Sequence, residues 1–212
     1  MEQADVVAAF DFDGTLSPRD NVVPFLRWVA GSRATAEAFA VMSARLARGG
    51  RARWNRNEAK AELVRRLLGG RVAADVDAVA RAFADEVLQR HLRREAVERA
   101  DWHRTQGHRL VIVSASFATY LRPVAERLRF DAVLATELEV RDDGLLTGEL
   151  AGANVRGPEK ARRLDQWLDG SPAFVWAYGD SSGDRELWAR ADRAVRLGRR
   201  AHRGTAERQS PK

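Results

Sequence analysis

The sequence predicts an α/β fold, in which a parallel sheet carries helices on both faces and an all-helical segment is inserted after the first strand. Two observations lead to this prediction. Short apolar runs at residues 6–10, 110–113 and 174–178 have the length and composition of buried strands. Between about residues 20 and 108, apolar residues recur instead at the three- and four-residue spacing of amphipathic helices.

The composition is that of a globular protein. The chain has 212 residues, 45% of them hydrophobic and 31% charged, which suits one large domain or a core with a smaller insertion. It contains no cysteine, so disulfide frameworks and thiolate metal sites are excluded. The first residues do not resemble a signal peptide, and no apolar run is long enough to cross a membrane, so we expect a cytoplasmic protein.

The formal charge of +6 comes mostly from arginine. Such a charge attracts anionic substrates, nucleic acids or acidic membrane surfaces. Because the arginines are not interleaved with aromatic residues along one stripe, we expect no nucleic-acid partner.

The first predicted strand, at residues 6–10, leads directly into Asp11 and Asp13. In open α/β sheets, ligands bind beyond the carboxyl ends of the strands, which is where this pair falls. Two adjacent carboxylates repel each other and need a cation, a shared proton or a phosphate with its metal. For this short segment alone, a strand that ends in a solvated Asx turn is the simpler alternative.

The segment after this strand predicts helices only. Its apolar spacing is helical from Phe25 to Leu46, Asn57 is a suitable N-cap for a helix over 58–68, and residues 72–92 form a further amphipathic stretch.

These patterns divide the chain into three parts. We predict a core formed by residues 1–17 and 100–198, and a helical cap domain at 18–99. The basic tail at 199–212 is predicted to be disordered.

Strands and helices alternate after residue 108. The predicted elements are a strand at 110–113 closed by Ser114-Ala115-Ser116, a helix at 118–128, a strand at 132–134, a hairpin at 138–150, a helix at 158–168, a strand at 174–178, a helix around 186–188 and a strand at 194–197. Pro158 suits the first turn of its helix, and Asp142-Asp143-Gly144 suits the turn of the hairpin.

Polar residues follow the other core strands as well. Ser114 and Asp180 come at the ends of their strands, and Lys160 lies near the start of a helix. Parallel strands deliver their carboxyl ends to one edge, so we expect these groups to meet Asp11 and Asp13. Carboxylates suit Mg²⁺, while a lysine, a hydroxyl and backbone N–H groups suit the oxygens of a phosphate.

Four segments, in this order, resemble the motifs of haloacid dehalogenase superfamily phosphatases. Within that superfamily they are most similar to subfamily IB, the phosphoserine phosphatase-like proteins. The segments are Asp11-Phe12-Asp13-Gly14-Thr15, Val113-Ser114-Ala115-Ser116, Lys160, and Gly179-Asp180-Ser181-Ser182-Gly183-Asp184. The resemblance implies a Rossmann-like core and, after the first strand, a helical cap of the C1 type.

The resemblance also implies catalytic roles. Asp11 would be the nucleophile that forms an aspartyl-phosphate, and Asp13 the general acid and base. Mg²⁺ would be held by Asp11, the backbone carbonyl of Asp13 and Asp180, with Asp184 as an outer ligand. Lys160 would pair with Asp11 and with the phosphate.

Phosphate binding and substrate choice follow from the same resemblance. Ser114 and the N–H of Ala115 would hold phosphate oxygens. The family usually has glycine where this chain has Ala115, and asparagine where it has Gly183, which weakens the prediction of phosphoserine as substrate. Asp20 stands where the family places a carboxylate for the substrate amine.

The sequence therefore predicts a Mg²⁺-dependent phosphomonoester hydrolase with a small phosphorylated substrate. Phosphoserine is the first candidate, and another small metabolite or a lipid head-group phosphate is the alternative. An alternative of a different class is a non-catalytic module that binds a phospho-ligand or nucleic acid, although such a module has no use for Asp13.

Two further sets of residues are expected at the surface. Arg53, Arg56 and Lys60 have side chains long enough to contact a substrate carboxylate or a second phosphate. The favoured prediction is that all three are solvated. The histidines at 91, 103 and 108 lack metal-ligand spacing and are also expected to be exposed.

Overall fold

A computed structural model describes residues 5–48 and 55–197. The strands in these ranges are β1 (Asp5–Phe10), β2 (Arg109–Phe117), β3 (Ala132–Thr136), β4 (Leu138–Val140), β5 (Leu146–Leu150), β6 (Ala173–Gly179) and β7 (Arg193–Arg196). The helices are α1 (Val22–Ala30), α2 (Ser32–Arg48), α3 (Arg56–Leu68), α4 (Ala73–Arg90), α5 (Arg94–Thr105), α6 (Ala118–Arg127), α7 (Pro158–Leu168) and α8 (Arg185–Arg190).

Five strands form one parallel sheet in the order β3-β2-β1-β6-β7. β1 lies at its centre, where Ala9 is paired with Val111 of β2 and Ala177 of β6. The chain builds outwards from β1 to β3 and then crosses to β6 and β7. The order therefore reverses beside β1, and at such a point an open sheet forms its ligand crevice.

Helices cover both faces of the sheet, which confirms the predicted α/β class. Val7 and Ala9 of β1 pack in one cluster with Leu164 of α7. The alternate residues, including Phe10, join a larger cluster on the opposite face that includes Tyr120 of α6. A strand buried on both faces has no polar position along its length, and this explains the unbroken apolar run after Asp5.

Helices α1–α4 form the segment between β1 and α5, and α1 and α4 pack against α6. Phe25 of α1 and Phe83 of α4 both contact Tyr120, with ring centroids 4.9 Å and 5.2 Å apart. The three side chains are fully buried, so the helical segment shares a continuous hydrophobic core with the sheet. Within the described ranges, none of the helices has the length and hydrophobicity that a membrane span requires.

The predicted hairpin is confirmed, and it packs on α3. β4 and β5 pair antiparallel. Gly148 of β5 has a φ of 89°, and a Cβ there would lie 3.1 Å from the Cα of Arg65. Glycine thus permits the close approach, and Arg65 adds an ion pair of 2.9 Å to Glu149.

Two local predictions are wrong. Strand β2 does not end before Ser114 but continues to Phe117, because Ser114 still pairs with Ala135 of β3. The N-cap of α3 is Asn55, not Asn57: the Asn55 side chain accepts from the backbone N–H of Asn57 and Glu58, and Glu58 completes a capping box.

The chain returns from the helical segment to the sheet at Arg93. Its N–H donates to the Leu16 carbonyl at 2.7 Å, and its guanidinium donates to the Gly14 carbonyl at 3.0 Å. The predicted boundary between residues 99 and 100 falls inside α5. The tail at 199–212 and Arg53 lie outside the described residues.

His103 is buried, contrary to the prediction that it is exposed. It lies between the Tyr178 hydroxyl at 2.7 Å and Nδ1 of His108 at 2.8 Å. Burial, with the nearby His108 and Arg99, lowers the pKa of His103 to about 3, so the ring is neutral in the fold.

Candidate active site

The predicted site residues meet at the carboxyl edge of the sheet. Asp11 follows β1, Ser114 lies in the last part of β2 and Asp180 follows β6. All three line one cavity of about 580 Å³, together with Asp13 and Lys160. These residues are far apart in sequence, and they meet because three adjacent parallel strands end at this edge.

Three carboxylates of the cavity lining lie close together. Asp11, Asp180 and Asp184 each offer an oxygen, and these oxygens lie within 4.8 Å of one another. Asp184, which was predicted as an outer ligand, is fully buried and directly in the cluster. Its second oxygen accepts from the backbone N–H of Asp180 and Ser181 at 3.1 Å and 3.0 Å.

Lys160 bridges two of these carboxylates. Its Nζ donates to Oδ1 of Asp11 at 2.6 Å and to Oδ1 of Asp184 at 2.5 Å. A cation in the first turn of α7 is disfavoured by the helix dipole, so the carboxylates are what stabilise it there. Although burial opposes it, the charges of Asp11 and Asp184 raise the pKa of Lys160, which keeps the ammonium charged.

Burial and mutual repulsion destabilise the charged forms of Asp11 and Asp180. Burial, and then the charge of Asp184, raise the pKa of Asp11 to about 6, although Lys160 opposes the shift. Burial and Asp184 also raise the pKa of Asp180. These carboxylates repel one another in a site of hard oxygen donors, and a divalent cation such as Mg²⁺ would relieve that repulsion. The residues present therefore fit a Mg²⁺ site.

Asp13 is held in a separate hydrogen-bond network. Its Oδ1 accepts from the side-chain amide of Asn21 at 2.7 Å and from the Asn21 backbone at 3.1 Å, and its Oδ2 accepts from the Ser116 hydroxyl. Burial and the charge of Asp20 raise the pKa of Asp13 to about 7, against the effect of these bonds. This carboxyl can therefore both donate and accept a proton near neutral pH.

Asn21 and Ser116 are site residues that the sequence reasoning missed. Asn21 is fully buried and also donates to the Ser17 hydroxyl at 2.8 Å. The signal for Ser116 was present, since it follows Ser114 by two residues and alternate residues of a strand point to the same side.

Ser114 lines the cavity from the end region of β2, as predicted. Its hydroxyl oxygen accepts from the backbone N–H of Ser116 at 3.1 Å, and Ala115 also lines the cavity. The Ser114 side chain is 1% exposed, so it is held within the fold.

Asp20 lies on the wall of the same cavity but is exposed. Its Oδ1 accepts from the backbone N–H of Val22 at 2.9 Å, in the first turn of α1. The side chain therefore has a local structural role in addition to its place in the cavity.

Lys60 of α3 is buried, contrary to the prediction of a solvated side chain. It is 7% exposed, and its Nζ donates to the Ala115 carbonyl and to Oδ1 of Asn154, the latter at 2.8 Å. Burial lowers the pKa of Lys60 to about 7, although Asp13 and Asp20 oppose the shift.

A sequence signal for the burial of Lys60 existed. Leu63, Val64 and Leu67 follow it at three, four and seven residues, so the lysine stands on the apolar face of its own helix. Arg56, one turn earlier, is exposed and lines the cavity as a solvated residue.

Arg156 is a further cation of the cavity. A Cβ added to Gly183 would lie 2.8 Å from Nη1 of Arg156, so the guanidinium occupies the space that a side chain at 183 would need. Arg156 has no side-chain hydrogen bond to another described residue. Glycine at 183 thus leaves room for this guanidinium in the cavity that the three carboxylates also line.

Comparisons with known proteins identify the family of the chain. The family model for haloacid dehalogenase-like hydrolases matches residues 8–188. Protein CicA of Caulobacter vibrioides is 38% identical over 198 residues, which cover 91% of this chain and 86% of CicA. Phosphoserine phosphatase SerB2 of Mycobacterium tuberculosis is 36% identical over 87 residues, which cover only 40% of this chain and 21% of SerB2.

Solved structures share the fold. A protein of unknown function from Bordetella pertussis Tohama I has a TM-score of 0.78 and 26% identity, with 92% of this chain and 90% of that chain covered. A substrate-bound phosphoserine phosphatase has a TM-score of 0.64 and 21% identity, with 92% and 87% covered. At this identity the second likeness is one of fold.

Proposed function

Because the chain belongs to the haloacid dehalogenase-like hydrolase family, we propose that it hydrolyses phosphomonoesters with Mg²⁺, through an aspartyl-phosphate on Asp11. The observation that carries the proposal is the meeting of Asp11, Asp180 and Asp184, bridged by Lys160, in the cavity that Asp13 also lines.

The two aspartates of the first motif divide the reaction. A carboxylate oxygen of Asp11 attacks phosphorus, the bond to the leaving oxygen breaks, and Asp13 gives its proton to that oxygen. Asp13 then takes a proton from the water that attacks phosphorus and releases Asp11. A pKa of about 7 for Asp13 supports both steps near neutral pH.

The remaining groups bind the phosphate. Ser114, the N–H of Ala115 and Lys160 are proposed to hold its oxygens. Mg²⁺ would be held by Asp11, Asp180 and the backbone carbonyl of Asp13, with Asp184 beside them. When bound, it would neutralise the negative charge that the phosphate brings to the carboxylates.

We propose a small phosphorylated metabolite as substrate, with phosphoserine as the first candidate because of the similarity to phosphoserine phosphatases. Asp20 would face its amine. Another small metabolite or a lipid head-group phosphate is the alternative. Residues 18–99 are proposed to act as a cap, since Val22, Phe39 and Leu63 of its helices line the cavity.

The proposal is tested by hydrolysis of p-nitrophenyl phosphate with Mg²⁺ and after chelation. We expect turnover that needs Mg²⁺ and is absent in Asp11→Asn. A wild-type protein that binds inorganic phosphate or DNA but hydrolyses nothing at saturating Mg²⁺ would instead be the non-catalytic binding module. With turnover established, a screen of phosphorylated metabolites identifies the substrate.

A further inference from the structure

We propose that Lys60 is a positioning residue, which couples the docking of α3 to the arrangement of Ser114 and Asp13. This inference rests on the proposed function, because it assigns Lys60 a role in phosphoryl transfer. The amine of Lys60 is buried, and it extends from α3 of the helical segment to strand β2 of the sheet.

The Lys60 contacts cross from α3 to two separate parts of the core. Its Nζ donates to the carbonyl of Ala115 in β2 and to Oδ1 of Asn154 in the loop before α7, and it lies 4.3 Å from the centre of the Phe117 ring. None of these partners carries a negative charge. Among the described residues, Lys60 therefore hydrogen-bonds to neutral acceptors, while the charges of Asp13 and Asp20 act on it from a greater distance.

The Ala115 carbonyl and the Ser116 N–H belong to the same peptide unit, and both groups form hydrogen bonds. The Ser116 N–H donates to the Ser114 hydroxyl oxygen at 3.1 Å. Because the Ser114 oxygen accepts this bond, its hydroxyl proton points away from the Ser116 N–H. Ser114 also lines the cavity. Lys60 shares this carbonyl with the Thr136 hydroxyl, which lies 3.1 Å from it, and so helps to orient the donor that in turn orients Ser114.

Ser116 also contacts the proposed acid–base group, Asp13. The Ser116 side chain donates to Oδ2 of Asp13. A rotation of the Ala115–Ser116 peptide would therefore disturb both the proposed phosphate ligand and the proposed general acid. Together with Thr136 at the end of β3, Lys60 opposes this rotation, and it does so from a helix that belongs to the proposed cap.

A second contact of α3 supports the same docking. Asn57, one turn before Lys60, accepts from the side-chain amide of Asn154 at 2.7 Å. Oδ1 of Asn154 also accepts from the Thr136 hydroxyl at 2.9 Å, at the end of β3. Two residues on one side of α3 thus engage one asparagine, so the position of the helix is coupled to the ends of β2 and β3.

The test exploits the absence of cysteine from the chain. Lys60→Cys removes the amine, and reaction of its thiol with 2-bromoethylamine restores an amine at nearly the original distance. We expect Lys60→Cys to lower kcat for p-nitrophenyl phosphate by about 10- to 100-fold, the order of effect of a misplaced catalytic group, with a smaller change in KM. Aminoethylation, confirmed by mass spectrometry, should restore most of the lost kcat.

Three controls accompany the test. Wild type treated with the reagent should keep its activity. Arg65→Cys, on the exposed side of the same helix, should be active before and after treatment. Thermal unfolding should show that Lys60→Cys is folded at the assay temperature.

The outcomes separate this inference from the proposed function. An active wild type with an unchanged Lys60→Cys, or a loss that aminoethylation does not reverse, overturns the role of Lys60 alone. A loss seen with one leaving group but not with a second also overturns it, because Lys60 would then be a substrate contact. An inactive wild type overturns the proposed function and this inference together.

Discussion

Two buried lysines at the same cavity have opposite environments. Lys160 donates to the carboxylates of Asp11 and Asp184, and its pKa is raised. Lys60 donates to a carbonyl and an amide oxygen, and burial lowers its pKa to about 7. Burial alone thus disfavours an ammonium ion, and only carboxylate partners reverse the effect.

The difference assigns the two lysines different tasks. In the proposed mechanism, Lys160 supplies positive charge where a phosphate dianion would approach Asp11. Lys60 is proposed to orient the Ala115–Ser116 peptide, and the Ser116 hydroxyl in turn donates to Asp13. The proposed nucleophile and the proposed acid thus belong to separate hydrogen-bond networks, and each network can be broken by itself.

The largest effect is expected for Asp11→Asn in the Lys160 network. We expect no measurable turnover of p-nitrophenyl phosphate, because the amide cannot form the phosphoenzyme. Binding of inorganic phosphate should persist, since Lys160 and Ser114 remain. Turnover at the wild-type rate would place the nucleophile elsewhere.

In the network of Lys60, Ser116 and Asp13, the Asp13→Asn variant should keep an oxygen that accepts from Asn21 but lose the carboxyl proton that Asp13 transfers. The overall rate should fall by about 10²- to 10⁴-fold, as for loss of a general acid and base. Breakdown of the phosphoenzyme should be slow enough for quench-flow to show that it accumulates. A variant at full speed contradicts the role of Asp13.

Stability distinguishes the two lysines directly. Lys160→Met leaves buried carboxylates without their cation and should cost about 3–5 kcal/mol of unfolding free energy in the presence of chelator. Lys60→Met leaves neutral acceptors and should cost about 1–3 kcal/mol. Chemical denaturation of both variants checks this order, and a larger cost for Lys60→Met reverses the comparison.

His103 is a third buried base, with a pKa lowered to about 3 from its ordinary 6.5. Between these values the unfolded chain binds a proton that the folded chain does not. The stability that the neutral ring contributes is therefore complete above pH 6.5 and falls at lower pH, by at most about 1.4 kcal/mol per pH unit. His103→Gln should show a flatter decline between pH 7 and pH 5 in urea unfolding, and parallel declines would refute the assignment.

The smallest effect concerns Asp20. Asp20→Asn removes the charge but keeps an acceptor for the Val22 N–H. We expect a several-fold higher KM for phosphoserine and an unchanged KM for p-nitrophenyl phosphate, which has no amine. Asp20→Ala, which also loses the acceptor, separates charge from helix capping. Equal KM changes for both substrates in Asp20→Asn would remove Asp20 from amine recognition.

The carboxylate network could be predicted from the sequence because its members stand at strand ends. An apolar run fixes where β1 ends, and parallel topology then brings Asp11, Ser114 and Asp180 to one edge. The four motifs also gave Lys160 and Asp184 by resemblance.

The partners of Lys60 could not be predicted in the same way. The apolar face of α3 indicates that Lys60 is buried, but it does not show what the helix packs against, and the partners lie 55 and 94 residues away in sequence. Arg156 depends likewise on the space left by Gly183. Asn55 was missed because both it and Asn57 precede an amphipathic run, and a pattern of apolar residues does not fix a helix end within two residues.

The central claim, that Asp11 forms a covalent phosphoenzyme, is tested most directly by an acid quench of Asp13→Asn during turnover of p-nitrophenyl phosphate with Mg²⁺, followed by peptide mass spectrometry. We expect the mass of one added phosphoryl group on the peptide that contains Asp11, and none after chelation. Steady turnover with an unmodified Asp11 peptide, or a phosphoryl group on another residue, would contradict it.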